Sequence, residues 1–247
     1  MKAHPVLFFL VFLVAAQAFG AAPSAADKQR EMELKKRHDT HNNYADVYSA
    51  RKAGNWDSDI WLLRKTLESP DFSPAPKGKR PGKMDNADLR RAVTLSSTAE
   101  VFRLFNNAHR ASFVIAKGGK LAAKHFYGYN GTASATVELQ NGGELLIENF
   151  FFVAGSMPEC TGKGEFLQNG GTVSAKCSLY LAGPWTQTSS PKCTGVYTLA
   201  GGVLNINSPK EKEGISKGVG NGIFYFGKGT LNTRAVAINL ENINGGN

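Results

Sequence analysis

Enzymes that cut polysaccharide place carboxylates close together on one face, as an acid and base pair or as oxygen ligands for calcium. In this chain of 247 residues aspartate stops at Asp88. The repeat body beyond Glu100 offers only the scattered glutamates Glu138, Glu144, Glu148, Glu159, Glu165, Glu211, Glu213 and Glu241. Glu144 and Glu148 are an even interval apart, so one strand would turn both to the same side. Solvated surface charge suits them better than an acid and base pair. HDTH, at 38–41, offers His38, Asp39 and His41 to a metal, but no further ligand cluster accompanies them. No G-x-S-x-G, H-E-x-x-H or phosphate-binding loop is present. No catalytic residue, metal site or cofactor is expected, and the chain reads as a non-enzyme.

Binding residues are better represented. HFYGYNG groups His125, Tyr127 and Tyr129, either as a platform for stacking a sugar or as a buried strand end, the second fitting better. The run Phe150, Phe151, Phe152 reads as packing. Trp185, in GPWTQTSSPKC, falls in a long inter-strand loop, where solenoids make their contacts, and is the best single candidate for binding. Asn130 opens an N-x-T glycosylation sequon. The three cysteines, Cys160, Cys177 and Cys193, lack the close pairing of a zinc site. One disulfide with a thiol left over, with Cys177 in the bridge, and three buried thiols are both open, and the pairing is not specified.

These residues are carried by a repeat. Gly119, Gly143, Gly171, Gly202 and Gly229 each end a GG or GKG and recur 24, 28, 31 and 27 residues apart. Two positions beyond each anchor stand Leu121, Leu145, Val173, Leu204 and Leu231; four beyond stand Ala123, Ile147, Ala175, Ile206 and Thr233. Residues i and i+2 share a strand face, so a short strand with two inward side chains follows every anchor. A second apolar run follows (HFYGYNG, NFFFVAG, SLYLAG), and a third precedes the next anchor (GEFLQNGG, GVYTLAGG) with a register that its composition leaves open. Three short strands per unit is the economy of a parallel β-helix, an all-β solenoid in which each unit buries its apolar face only against its neighbours. The segment 91–119 reads as a first coil, with a single helix over AEVFRLFNNAHRA (99–111) as the alternative.

Ahead of the coils, VYSARKAGNWDSDIWLL suggests a strand, a turn and another strand, and the proline-rich basic stretch 68–84 a loop. Residues 21–44 are polar and of helical composition, an N-terminal cap that is helical or irregular. Residues 1–20, with Lys2 ahead of a short apolar run, have the layout of a secretory signal peptide cleaved after Ala18 or Gly20. A secreted or cell-surface location follows, with the β-helix over 45–247 and no membrane span in the mature chain. The net charge of +9, concentrated at KKR (35–37) and KGKR (77–80), suits solubility or attraction to an anionic polymer.

The succession VYSARKAGNWDSDIW, PGKMDNADL, RAVTLSS and units such as GKGEFLQNGGTVSAKCSLYLAG resembles secreted bacterial parallel β-helix repeat proteins, including autotransporter-type passengers and surface proteins with PEP-CTERM sorting tails. The resemblance covers about 45–247, and its glycine-punctuated signature specifies a fold more than an activity. In it Trp56, Trp61, Pro81 and Asp85 correspond to the opening of the first coil. This chain has fewer repeats, and it shows neither a sorting tail nor a translocator barrel. The expected function is a structural or adhesive element with extracellular polysaccharide or other surface proteins as partners, and no nucleic acid. A carbohydrate-binding or degenerate polysaccharide-active β-helix is the alternative, and an assembly protein stacking through its coil ends is a third.

Overall fold

The computed structural model describes residues 46–64, 71–107, 112–129, 131–155, 160–183, 192–208, 214–218 and 220–233. The 1–20 leader, the 21–44 segment, the HDTH quartet, Asn130, Trp185, Glu159, Glu211, Glu213 and Glu241 lie outside them. The chain divides after Tyr44, and everything below belongs to the body Ala45–Asn247.

Gly119, Gly143, Gly171 and Gly202 mark corners where the backbone of one pass lies directly on the pass before. A Cβ on Gly171 would strike the carbonyl oxygen of Gly143, and one on Gly202 the carbonyl oxygen of Gly171. Both adopt positive φ, 67° and 77°, which L side chains rarely tolerate. The carbonyls so approached are also acceptors. Gly119, Gly143, Gly171 and Gly202 receive the N–H groups of Glu144, Thr172, Val203 and Thr230 at 2.8–3.0 Å. At Gly171 and Gly202 glycine is therefore required by contact as well as by conformation.

After each corner the expected strand forms, and the passes align as their side chains suggest. Ala99, Leu121, Leu145, Val173, Leu204 and Leu231 stand in one column. Val101, Ala123, Ile147, Ala175, Ile206 and Thr233 stand in the next. All pairs are parallel. A second ladder aligns Leu104, Phe126, Phe151, Leu179 and Ile215. A third aligns Phe113, Val137, Phe166, Tyr197 and Phe224.

The first two ladders share a 12-stranded sheet, because Thr98–Asn106, Lys120–Tyr127 and Glu144–Ala154 each serve both. The third is a 7-stranded sheet. Among the described residues there is no helix, and Thr98–Asn106 is a strand, so the helical alternative over 99–111 is set aside. The inward alternation slips where a strand passes from ladder to ladder. Val101 is followed inward by Leu104, and Ala123 by Phe126. In Glu144–Ala154 the ladder register shifts between Ile147 and Phe150, a β-bulge that redirects the strand.

Side chains of both sheets meet in one apolar core. Phe151 packs edge-on to Phe166 and Tyr197, at 5.6 and 6.2 Å between ring centroids. Phe166, Tyr197 and Phe224 stack along the third ladder at 4.8 and 5.3 Å. A polar side chain enters this core at Gln168, fully buried, in the column with Ile115, Leu139 and Leu199. Its amide donates to the Val203 carbonyl at 3.0 Å and accepts from the Tyr197 hydroxyl at 2.6 Å, which satisfies the buried groups.

The stack begins differently from a purely parallel one. Val47–Ala50 pairs parallel with Asn86–Leu89 on one side but antiparallel with Trp61–Arg64 on the other. Trp61–Arg64 in turn pairs antiparallel with Ser73–Pro74. This makes the larger sheet mixed, a correction to an all-parallel expectation. The physical reason is the first edge: folding a hairpin across it occupies hydrogen bonds that would otherwise face solvent. Trp56 and Trp61 pack edge-to-face at 4.9 Å, and the Trp61 indole N–H donates to the Trp56 carbonyl at 2.9 Å.

Tyr197→Phe removes the hydroxyl that reaches Gln168 Oε1. The expected loss is about 1–3 kcal/mol of unfolding free energy, read from the denaturant midpoint, and an unchanged midpoint would contradict the pairing. Burial also raises the Tyr197 phenol and pushes the Cys177 thiol up to about 12. Both groups hold their protons more tightly folded than unfolded. Their contribution is therefore complete below the unfolded values and is lost as pH rises. Melts between neutral pH and about pH 11 should show stability falling from about pH 9, with Cys177→Ala moving the onset upward.

Candidate functional site

Of the HFYGYNG residues, His125 and Tyr127 stay together, their ring centroids 6.4 Å apart and nearly coplanar in orientation, while Tyr129 belongs to a different cluster. Tyr129 is fully buried, and its hydroxyl oxygen accepts the Ala133 N–H at 2.5 Å. Tyr127 lies between Phe105 and Phe152, with centroids at 4.9 and 5.7 Å and planes within 6°. Phe152 continues the stack to Tyr180 at 5.1 Å. The four residues occupy one column of the second ladder, on the side opposite the core residues Phe126 and Phe151. His125, 1% exposed, stacks on Phe150 at 5.1 Å. Rings stacked in register give their faces to each other, whereas a bound pyranose requires a free face. Phe150 remains 41% exposed.

The glutamates of the described repeats are engaged on the surface. Glu144 pairs with Lys120 at 2.7 Å, Glu148 with Lys176 at 3.5 Å, and Glu165 with Lys163. Glu138 accepts from Gln140 and Asn169. Among the described residues no group of three or more His, Cys, Asp and Glu side chains is placed to hold a metal ion.

Positive charge is gathered at the other end of the body. The hairpin strand Val47–Ala50 leads directly into Arg51 and Lys52. The proline-rich loop returns along Trp61–Arg64, with the Ala75 N–H donating to the Trp61 carbonyl at 3.1 Å. It then turns at Gly78, whose φ of 72° permits the reversal. That turn is held by the Gly78 N–H donating to Asp59 Oδ1 at 3.2 Å and by the Arg80–Asp57 ion pair. The result is an open cleft of about 440 Å³ lined by Arg51, Lys52, Asp59, Lys77 and Lys79, with the nearly buried Trp61 at its floor.

Four cations thus face one carboxylate, and that carboxylate already accepts a backbone N–H. Arg51 lies over the Phe72 ring, 4.6 Å from its centroid, which holds its side chain. Among the described residues Lys52, Lys77 and Lys79 enter no ion pair, and all three are exposed. Lysines so placed attract anions at range and hold them as mobile point charges.

KGKR was visible in the sequence as surplus charge. Its convergence with Arg51 and Lys52, about 26 residues earlier, was not, because that depends on the antiparallel hairpin. Against this geometry, no family model matches the chain, and neither does any curated protein or any solved structure.

Proposed function

We propose that this chain is a secreted or cell-surface parallel β-helix repeat protein, a structural and adhesive element without catalytic activity, that holds acidic polysaccharide in its basic cleft. Three parallel ladders around one core support the β-helix, as does the likeness to secreted β-helix repeat proteins. The leader-like N-terminus supports export. The observation that carries the binding reading is the cleft itself: Lys52, Lys77 and Lys79, exposed and outside any described ion pair, converging beside Arg51.

An extended polyanion suits such a site better than a small sugar. The cleft is open and supplies charge in place of free aromatic faces. Each exposed contact contributes little, about 0.2–1 kcal/mol, so useful affinity requires a ligand that presents many anionic groups to many copies of the protein. Adhesion through repeated weak contacts is the function such a surface serves.

Retention of the purified protein is to be measured on immobilised neutral, carboxylated and sulfated polysaccharides, with soluble products assayed from the same wells. Retention is expected on the acidic polymers alone, weakening as salt rises. The triple substitution Lys52→Ala, Lys77→Ala, Lys79→Ala should lower affinity about tenfold, while Lys163→Ala with Lys176→Ala leaves it unchanged. Equal retention on neutral polymers would overturn the electrostatic reading. Released oligosaccharides would overturn the non-catalytic one.

A further inference from the structure

Cys160 and Cys193 occupy the same corner of successive passes. Each precedes a strand of the third ladder, Lys163–Gln168 and Thr194–Leu199, and those strands pair in register from Lys163 opposite Thr194. The corner has a small core of its own, apart from the main one, formed by Tyr129, Ala135, Ala154, Cys160, Ala182 and Cys193. Such satellite cores form beneath loops that depart from the main stack. Both cysteines are fully buried.

Within that corner the two thiols are in hydrogen-bond contact with each other. The backbone of Gly155 hydrogen-bonds to Cys160, while a Cβ on Gly155 would collide with the Cys193 sulfur. Both sulfurs therefore rest on the same glycine. Ala154, Ala182 and Gly220 complete the walls, and a Cβ on Gly220 would lie 3.1 Å from the Cys193 sulfur. Cys177 is elsewhere, in the main apolar core, and belongs to neither corner.

We propose that Cys160 and Cys193 are a disulfide site that clasps two consecutive repeats, leaving Cys177 as a buried thiol. The oxidant is a second disulfide, a small molecule such as oxidised glutathione or a protein carrier. The Cys160 thiolate attacks one sulfur of that disulfide, forming a mixed disulfide and releasing one thiolate of the oxidant. Cys193 then gives up its proton, attacks the Cys160 sulfur and expels the second thiolate. Two protein thiols are oxidised to one disulfide, the oxidant is reduced to two thiols, and the two protons pass to it through solvent. Because both sulfurs are buried in the folded chain, the exchange belongs to folding, before the corner closes.

The bond would join positions 33 residues apart and so constrain the unfolded chain over one full repeat. It also sets aside the bridge through Cys177 that the sequence leaves open.

The full chain is refolded in a buffer of oxidised and reduced glutathione, denatured without reductant, alkylated and mapped by mass spectrometry of its peptides. One alkylated cysteine, Cys177, and one cross-linked peptide pair containing Cys160 and Cys193 are expected. Adding reductant should lower the melting temperature by about 5–10 °C, equally in Cys177→Ala, and not in the Cys160→Ser, Cys193→Ser double variant. Three alkylated cysteines in the oxidised sample, or Cys177 in any cross-link, would overturn the proposal. Cys177→Ala retains both partner cysteines, so its cross-link decides the matter even if the serine variants do not fold.

Discussion

The parallel, in-register hydrogen bonding between successive passes is the constraint on which this structure depends. A strand that adds to a ladder must place its backbone on that of the preceding strand, and the glycine corners make this possible. At Gly143 and Gly171 the same carbonyl that excludes a side chain from the next anchor accepts the next pass's N–H. Once this contact is set, like positions stack on like positions. Apolar columns such as Leu121–Leu145–Val173–Leu204 then form without further specification.

What departs from register carries the distinctive features. The hairpin that crosses the first edge leaves the parallel pattern, and it brings Arg51 and Lys52 to the proline-rich loop with Lys77 and Lys79. The corner between the second and third ladders lengthens between passes, and there a separate small core gathers Tyr129, Cys160 and Cys193. Loops free of the ladder hydrogen bonds vary in length and composition at little cost to the stack. The basic cleft and the cysteine corner are accordingly found at them, while the ladders supply rigidity.

The second ladder follows a different rule. Its outward positions Phe105, Tyr127, Phe152 and Tyr180 are aromatic and stacked, so both sides of these strands pack. A strand packed on both sides has no alternation to reveal it, and FFFVA and LYLA read accordingly as uninterrupted apolar runs. The third ladder was obscured for the opposite reason. Its inward column accepts Gln168, whose partner Tyr197 comes from the next pass, and its outward positions include the apolar Val114, Leu167 and Ile223. Polar residues inside and apolar ones outside blur a period of two.

The sequence by itself determined the repeat, its glycine punctuation and both inward columns of the first ladder, because those depend on interactions between equivalent residues at a nearly constant interval. It also showed the strands flanking the GNWD turn and the surplus of lysine near residue 80. Tertiary structure alone decided which side the third ladder turns inward, that the first edge is closed antiparallel, and which cysteines meet. Each of these depends on a contact between residues that sequence spacing does not relate: Gln168 with Tyr197, Ala50 with Trp61 across the hairpin, Cys160 with Cys193. Periodicity encodes what every pass has in common. It carries no information about where one pass differs from the next, and the cleft and the cysteine corner are such differences.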